Sequence, residues 1–451
     1  MKRLNLAIVG HANAGKTSFL RTLTRNGHFG AISDKPGTTR HVEKITLTIN
    51  DHESVVFYDT PGLEDSMSLY DYIYSSIGVG EKLDGIDRLQ RFLISPEAEQ
   101  RFNQEAKVIR QLLVSDAGLY VIDVTEPVLD KYHDELAILA DSHKPLLAIL
   151  NFTANEVSFE VEWKALLARV GIHAIIRFDA VFPPIDGETR LYQSLSLLIE
   201  SAKTLLNNLV TELEVKRKQR EYHARQLIAE ALIDVTACYR TIEPDDQQAI
   251  TALQDEVRKR EQKAIKSLLQ LYQFDDQYQT LEQMPIIAGR FESDLFSPEA
   301  MKLLGIHMSK GMVTGAIAGA GIDLAAGGMT LGAAALIGAL IGGVSQTARH
   351  YGAKIRGKFS GQLTLTVDDA VICFLFLRLQ ALKTDLDARS HANTDLIVIN
   401  NPASTVWQKG QLPKQLIVAR SHPKWSSLNK SSALYDDQRT EIVNELAKQL
   451  E

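Results

Sequence analysis

The sequence predicts an α/β domain with a mainly parallel sheet and flanking helices, followed by a mostly α-helical C-terminal region containing a glycine-rich hairpin. Over residues 1–200, short apolar runs alternate with helical patterns, which is typical of a parallel sheet covered by helices. Beyond residue 200 the pattern becomes helical, and residues 311–344 consist largely of glycine, alanine and aliphatic residues. A chain of 451 residues exceeds one ordinary core, so we expect several domains.

Each predicted strand of the first domain is a short apolar run. We predict six strands, at residues 4–10, 45–49, 54–59, 118–124, 145–151 and 173–178. The polar, helix-prone stretch 64–115 is longer than a crossover requires, and we interpret it as a helical insertion. Together these elements form the first predicted domain, residues 1–200.

The rest of the chain divides into three predicted regions. They are a helical region at 201–300, a glycine-rich apolar hairpin at 301–350 and an α+β region at 351–451. In the last region, a strand at 362–367 leads into an amphipathic helix capped by Asp368 or Asp369, and a terminal helix is predicted at 436–449.

Composition restricts the class of protein and its compartment. The hydrophobic fraction of 45% and charged fraction of 23% are typical of a folded globular chain. A net charge of −7 argues against a protein that coats DNA. Cys238 and Cys373 have no metal or disulfide spacing and suit a reducing cytosol, and the N-terminal residues have no signal-peptide pattern. We therefore expect a cytoplasmic protein.

Residues 10–17, GHANAGKT, fit the pattern G-x-x-x-x-G-K-[ST] between a strand and a helical stretch. The glycines allow backbone N–H groups to surround phosphates at a helix N-terminus. Lys16 is predicted to reach the β- and γ-phosphates as the catalytic charge, and Thr17 is predicted to bind Mg²⁺. The predicted nucleotide-binding residues of this loop are Gly10, Asn13, Ala14, Gly15, Lys16, Thr17 and Ser18.

Two further motifs strengthen this interpretation. The sequence DTPG ends the third run, so Asp59 is placed to hold the Mg²⁺ shell and the Gly62 N–H to contact the γ-phosphate. The sequence PGTTR, residues 36–40, lies between the first motif and DTPG and offers a threonine from a loop. Three signals in this order predict a P-loop nucleotide-binding domain.

Together, GHANAGKT, PGTTR and DTPG resemble the first three motifs of translation-factor-class GTPases of the Era and TrmE type, over about residues 1–200. The whole chain resembles a bacterial subgroup that joins such a domain to a long C-terminal domain of unknown function. The resemblance implies a protein that binds GTP and GDP and hydrolyses GTP with Mg²⁺. It implies that Thr39 is the catalytic switch threonine, which binds Mg²⁺. It also implies that Asn13 helps to bind K⁺, although an asparagine tolerated in a tight turn fits that position equally well.

The residue after DTPG weakens the expectation of fast turnover. Leu63 stands where Ras-like proteins place a water-orienting glutamine, and an aliphatic side chain cannot orient water by hydrogen bonding. We therefore expect slow hydrolysis unless a cation, a partner or another residue supplies the function. The rival hypothesis is a nucleotide-binding protein for assembly or membrane interaction with negligible turnover.

The predicted base-reading motif is altered. The family pattern is Asn-Lys-x-Asp, and the chain has Asn151, Phe152, Thr153 and Ala154. Ala154 cannot accept hydrogen bonds from guanine, and each unpaired buried donor costs about 1–3 kcal/mol. The preference for guanine should therefore fall unless another group compensates.

Three groups are candidates for this compensation. Asn155 and Glu156 are polar but displaced along the chain. Asp179 follows the sixth run beside Ala180, where relatives carry a base-contacting loop, and its carboxylate would reach the guanine edge. Phe152 replaces the lysine whose stem covers the base and would stack on it. The resemblance favours GTP, whereas the residues alone leave ATP open.

The glycine-rich hairpin has two interpretations. Glycines recur at four-residue spacing, residues 324–344 carry no charge, and basic residues flank the segment on both sides. One interpretation is peripheral or integral attachment to the cytoplasmic membrane face, through lipid or a membrane protein, with Asp323 in the turn between two arms. The other is a soluble, tightly packed helix pair.

Two basic clusters, KRKQR at 216–220 and RKREQK at 258–263, leave a further alternative. They are interleaved with glutamates, so solvated helix faces are the simpler interpretation. An RNA, ribosome or anionic-lipid surface is the other. The sequence makes DNA an unlikely partner and predicts no oligomeric state.

Overall fold

The computed structural model describes most of the chain as two compact units, one of residues 1–218 and one made of most of residues 219–451. The described residues are 2–25, 42–50, 52–75, 83–155, 157–184, 186–242, 246–274, 286–287, 290–291, 294–297, 301, 306, 322–325, 363–388, 412–430, 432 and 436–450.

The first unit is built on a six-stranded sheet with strand order β2-β3-β1-β4-β5-β6. All neighbouring strands are parallel except β2 and β3, which are antiparallel. The mainly parallel sheet predicted from the alternating pattern is therefore confirmed. The strands are β1 Lys2–Val9, β2 Glu43–Asn50, β3 Glu53–Asp59, β4 Ala117–Asp123, β5 Leu146–Asn151 and β6 Ile175–Arg177.

Helices cover both faces of this sheet, which is why β4 and β5 are buried along almost their whole length. The helices are α1 Lys16–Thr24, α2 Ser66–Ser75, α3 Gly85–Leu93, α4 Asn103–Val114, α5 Asp130–Ala140, α6 Glu160–Arg169 and α7 Gly187–Leu198, with short 3₁₀ turns at Pro96–Ala98 and Glu200–Ala202.

The stretch predicted as a helical insertion contains α2, α3 and α4. These helices share a small apolar core that includes Leu69, Phe92 and Phe102, and Ile138 of α5 belongs to the same core. Arg88 of α3 also forms a bidentate contact with Asp141, which follows α5, at 2.9 and 2.7 Å. The insertion is therefore attached to α5, the helix that follows β4.

The second unit combines long helices with a three-stranded antiparallel sheet of order β10-β11-β7. Its apolar core contains residues from all three long helices. The helices are α8 Lys203–Thr236, which begins in the first unit, α9 Gln247–Leu271, α10 Asp369–Ala388, α11 Lys414–Arg420 and α12 Asp437–Gln449, with a 3₁₀ turn at Pro423–Trp425. The strands are β7 Tyr239–Ile242, β8 Ile286–Ile287, β9 Arg290–Phe291, β10 Ile322–Ala325 and β11 Leu363–Val367.

Two details of the predicted C-terminal region are wrong. Asp323 lies in β10 opposite Thr366, not in a turn between two helical arms. The first half of helix α10 is not amphipathic, because its residues from Ala370 to Leu379 are all buried; exposed residues such as Thr384 and Asp387 occur only in the second half. Both features depend on partners distant in sequence, which local periodicity does not encode. The capping prediction is correct for Asp368, whose carboxylate accepts from the Ala370 N–H at 2.7 Å.

The membrane prediction lies largely outside the described residues. Apart from β10, the glycine-rich segment 311–344 is not described, and neither are the basic residues that flank it. Within the described part of the chain, no helix is long and apolar enough to cross a bilayer.

Candidate nucleotide site

The P-loop joins the end of β1 to the start of α1 and has the backbone conformation that phosphate binding requires. Gly10, Asn13 and Gly15 adopt positive φ angles of 141°, 63° and 87°. A Cβ atom at Gly10 would stand 2.4 Å from the Val121 carbonyl oxygen, so β4 excludes any larger residue there. The two glycines are thus required by conformation and close contact.

Lys16 is buried at the centre of this loop. Its Nζ donates to the carbonyl oxygens of Gly10 at 3.0 Å and His11 at 2.6 Å. Burial lowers the pKa of Lys16, while the nearby carboxylates of Asp59 and Glu135 oppose that shift. A phosphate arriving at the loop would give this desolvated ammonium group a full negative charge instead of two carbonyl dipoles.

Thr17 and Asp59, the two described residues that are predicted to hold Mg²⁺, are in direct contact. The Thr17 hydroxyl donates to Asp59 Oδ2 at 2.6 Å, although 42 residues separate them in the sequence. Burial raises the pKa of Asp59 to about 6, and its Oδ1 is buried without a hydrogen-bond partner among the described residues. These hard oxygen donors fit Mg²⁺. The third predicted ligand, Thr39, lies outside the described residues.

The DTPG motif lies against the P-loop. The Thr60 hydroxyl donates to the Ile8 carbonyl oxygen at 2.6 Å. A Cβ atom at Gly62 would stand 2.6 Å from both N and Cα of Ala12, so the two backbones touch. The Leu63 N–H points to the Gly10 carbonyl oxygen at 3.4 Å, and the Leu63 side chain is fully buried in the core. That side chain therefore does not face the phosphate site.

Asn151 connects three loops of the site. Its Nδ2 donates to the Ala14 carbonyl oxygen at 3.0 Å. Its Oδ1 accepts from the N–H groups of Phe152 at 2.9 Å and Ala180 at 2.8 Å. The buried side chain thus holds the P-loop, the β5–α6 loop and the β6–α7 loop together.

Asp179 lies where the altered base-reading motif lacks a carboxylate. Its Oδ2 accepts from the Ala154 N–H at 3.0 Å, and its Oδ1 accepts from Val181 and Phe182, both at 2.9 Å. Only 3% of Asp179 is exposed. The structure therefore brings Asp179 to the predicted loop, with its oxygens bound to backbone.

Phe152 has an unusual conformation beside the P-loop. Its φ angle is 58°, a left-handed value that is uncommon for a bulky residue. A Cβ atom at Gly15 would stand 3.0 Å from the end of the Phe152 ring and 2.3 Å from Asn151 Nδ2. The ring thus lies next to the P-loop. Backbone strain of this kind is concentrated at binding sites.

A polar cluster on the other side of the P-loop has no counterpart among the sequence predictions. His11 lies between Lys131 and Glu135 of α5, with Nε2 2.9 Å from Lys131 Nζ and Nδ1 3.4 Å from a Glu135 carboxylate oxygen. A histidine inside the P-loop motif is the only local signal of this cluster. Its partners are more than 100 residues away and match no motif.

The basic clusters of α8 and α9 are partly occupied by contacts within the protein. Arg258 contacts Asp255 at 2.8 Å and Asp294 at 2.8 Å, and Arg260 contacts buried Asp234 at 2.6 Å. The interpretation as ordinary helix faces with internal ion pairs therefore suits these arginines better than a nucleic-acid surface.

Comparison with known proteins supports the class that this site defines. Residues 5–152 match a family model described as "50S ribosome-binding GTPase". Over about 125 residues, the chain is 28% identical to the tRNA modification GTPase MnmE of Prochlorococcus marinus and 33% identical to the GTPase Der of Chlamydia muridarum. These alignments cover 28% and 27% of this chain and 26% and 24% of the relatives.

The first unit is thus a P-loop GTPase domain of the Era and TrmE type, as its three motifs predicted. Residues 164–448 match a second model, described as a domain of unknown function, DUF3482. This match spans more than half of the chain, so the protein belongs to the DUF3482 family.

A crystal structure of Era with MgGDPNP and a 16S ribosomal RNA fragment is also similar to this chain. The sequence identity is 20% and the TM-score is 0.29, over 40% of this chain and 52% of that one. The chain spans only about a quarter of the length of the MnmE and Der relatives, so their names describe those proteins alone.

Proposed function

We propose that this protein is a GTP-binding switch that hydrolyses GTP to GDP and phosphate with Mg²⁺. The observation that carries the proposal is the 2.6 Å contact between Thr17 and Asp59 directly beside the buried Lys16. Two oxygen ligands and one ammonium group at the end of a P-loop are the components that P-loop enzymes use in phosphoryl transfer.

Each of these residues has a definite part in the proposed reaction. Lys16 leaves the carbonyl oxygens of Gly10 and His11 and binds the β- and γ-phosphates. Thr17 and Asp59 would hold Mg²⁺, with Thr39 as a third ligand, and the ion would supply positive charge against the phosphates. The Gly62 N–H, held next to Ala12 by direct backbone contact, donates to the γ-phosphate.

Guanine is the proposed base, although the usual carboxylate is missing. The relatives are GTPases by name, and Asn151 holds the two base-side loops on the P-loop. Phe152 beside Gly15 is proposed to cover the base, and Asp179 with Ala180 to shape its edge.

A second candidate function is nucleotide binding with negligible turnover, used for assembly or membrane interaction. Its support is Leu63, whose side chain is buried in the core and cannot orient a water molecule. Hydrolysis at a useful rate would then depend on K⁺ at Asn13, on a partner or on another residue.

The C-terminal unit is proposed to bind the partner of the switch. Membrane attachment through residues 311–344 is one proposal, supported by their sequence pattern alone. Ribosome or RNA binding is another, supported by the description of the matched GTPase family. Flotation with lipid vesicles, using full-length protein and a variant lacking 311–344, tests the first. Retention on RNA at moderate salt tests the second.

Turnover and binding measurements on the full-length protein test the central proposal. We expect micromolar or tighter binding of GTP and GDP, weaker ATP binding, and phosphate release that requires Mg²⁺. Binding without phosphate release, in both KCl and NaCl, would favour the second candidate. Failure to bind any nucleotide would refute both.

A further inference from the structure

We propose that Glu135 and Lys131 of α5 are positioning residues for the P-loop, acting through the His11 side chain. The inference rests on the proposed nucleotide function and adds residues that no P-loop motif contains. It depends on the geometry of three side chains and on the contacts that the His11 backbone makes.

The imidazole ring of His11 is held from both sides. Its Nε2 stands 2.9 Å from Lys131 Nζ, and its Nδ1 stands 3.4 Å from Glu135 Oε2. The Glu135 side chain is completely buried, and the His11 side chain is only 16% exposed. The Tyr132 ring meets the imidazole edge-on, with ring centroids 5.3 Å apart. These contacts leave the imidazole ring little freedom to rotate.

The two partners determine which nitrogen carries the proton. A lysine ammonium group has three donors and no acceptor, so His11 Nε2 must accept from Lys131. The hydrogen of a neutral ring is then on Nδ1, which points to the Glu135 carboxylate. The sequence of contacts is therefore Lys131 to His11 to Glu135. The first contact is a hydrogen bond, whereas the second is a 3.4 Å contact outside hydrogen-bond geometry, and His11 Nδ1 and both Glu135 oxygens have no hydrogen-bond partner among the described residues.

Two lysines and the His11 ring explain how α5 tolerates a buried carboxylate. Burial raises the pKa of Glu135, and His11, Lys16 and Lys131 oppose that shift. An acidic side chain at the centre of a packed helix face is costly unless it is hydrogen-bonded. Neither Glu135 oxygen has a hydrogen-bond partner among the described residues, and its carboxylate stands 3.4 Å from His11 Nδ1, so we assign this buried charge to the imidazole.

The His11 backbone connects the held imidazole ring to the phosphate site. Its carbonyl oxygen accepts from Lys16 Nζ at 2.6 Å, and the next residue, Ala12, touches Gly62. The same helix also contacts the chain after DTPG, because the Ser66 hydroxyl donates to the Lys131 carbonyl oxygen at 2.7 Å. Fixing the imidazole thus fixes the first turn of the P-loop relative to the predicted γ-phosphate contact.

Nucleotide titrations on four full-length variants test the role. Glu135→Met removes the acceptor and His11→Ala removes the ring, and we expect each to weaken GDP binding about tenfold. The double variant should lose about the same tenfold, because the two residues act as one unit. Glu135→Gln keeps an acceptor of the same length and should lose less than threefold.

Control measurements separate positioning from general damage. Asp134→Ala changes the neighbouring carboxylate of α5, one position along the helix, and should bind GDP like wild type. Thermal unfolding identifies any variant that fails to fold, and Lys131→Met then replaces Glu135→Met as the probe. Nitrogen-15 NMR of labelled histidine, assigned with His11→Asn, should show the Nδ1–H form of His11 in wild type and in Glu135→Gln.

Two results would overturn the proposal while leaving the nucleotide function intact. One is wild-type GDP affinity in a folded Glu135→Met protein. The other is a hundredfold loss in the double variant, which would show independent effects. If wild-type protein binds no nucleotide, the proposed function itself has failed, and the NMR tautomer still tests the contacts of His11.

Discussion

Both units of this protein bury charged or polar side chains, but these side chains make different kinds of contact. In the first unit, Lys16, Asp59 and Asn151 lie at the loops that follow parallel strands, and all three face the P-loop. In the second unit, buried charges neutralise one another. Arg378 contacts Glu261 at 3.0 Å with exposures of 1% and 6%.

A second buried charge in the C-terminal unit, that of Asp234, is also neutralised by other residues of the protein. Asp234 accepts from Arg260 at 2.6 Å, from Arg439 at 3.3 Å and from Ser427 N–H at 2.9 Å. These contacts join α8, α9 and the C-terminal segment, and they satisfy the carboxylate within the protein. Asp59, by contrast, has a buried oxygen without a hydrogen-bond partner among the described residues.

This difference shows how a ligand site can be told from a structural ion pair. Both kinds of group are buried, so burial alone does not distinguish them. A buried oxygen without a hydrogen-bond partner does not distinguish them either, because Glu261 Oε1 is such an oxygen among the described residues. What differs is the neighbour: the structural charges lie beside opposite charges, as in Arg378–Glu261 and Arg260–Asp234, whereas Lys16 Nζ donates to backbone carbonyl oxygens. By that criterion we expect substitutions in the first unit to affect nucleotide binding and those in the second unit to affect stability.

The largest expected effect is that of Lys16→Ala in the first unit. It should weaken GTP and GDP binding more than a hundredfold, because the variant lacks the ammonium group that faces the phosphates. The thermal midpoint should change little, because the lysine is bound only to carbonyl oxygens. Calorimetric titration measures the loss of nucleotide affinity, and thermal unfolding measures the change in the thermal midpoint. Wild-type affinity in this variant would refute the P-loop site.

Arg378→Met should instead destabilise the second unit and leave GTP affinity unchanged. Burial raises the pKa of Glu261 to about 7 even beside the arginine, so removing Arg378 should raise it further. A raised carboxyl pKa gives stability below pH 4.5 that is lost as the pH rises through the folded value. We therefore expect a loss of about 3–5 kcal/mol at pH 8 and a much smaller loss at pH 5.

Scanning calorimetry at the two pH values measures this effect. The matched control is the double variant Arg378→Met with Glu261→Leu, which removes both charges and should recover most of the stability at pH 8. An equal loss at both pH values would show that the arginine stabilises the unit by packing and not by its charge.

Asp179→Ala tests whether a buried carboxylate that holds a loop together also reads the guanine base. Three backbone N–H groups lose their acceptor in this variant, so GTP binding should weaken by about 1–3 kcal/mol. We expect ATP binding to weaken equally, because the loop itself is perturbed. Parallel titrations with GTP and ATP check this. An unchanged ATP affinity would instead support Asp179 as the reader of guanine, and Ala154→Asp should sharpen guanine preference in either case.

The smallest expected effect concerns K⁺ at Asn13. If Asn13 binds K⁺, GTP hydrolysis should be severalfold faster in KCl than in NaCl of equal ionic strength, and Asn13→Ala should abolish that difference. The positive φ angle at Asn13 complicates the interpretation of the Asn13→Ala variant, because alanine is strained in that conformation by roughly 1–2 kcal/mol. Asn13→Gly keeps the conformation without the side chain and is the matched control. Equal rates in the two salts would remove the K⁺ role.

The α/β fold of the first unit and the loop proposed to bind phosphate can both be predicted from the residue pattern alone. Glycines at fixed spacing, a lysine and a following threonine are local requirements of a loop that wraps phosphate, so GHANAGKT reveals them directly. The strands were equally predictable, because a buried parallel strand needs a continuous apolar run.

The residue pattern does not predict which groups distant in sequence come into contact. Lys131 and Glu135 reach His11 across more than 100 residues, and Asp179 binds the backbone of Ala154 instead of standing free. The strand at 322–325 and the burial of the first half of helix α10 were also missed, although the helix itself was predicted, because both depend on partners that periodicity cannot identify. A local pattern predicts the secondary structure of one segment, whereas a contact between segments depends on the packing of the whole unit.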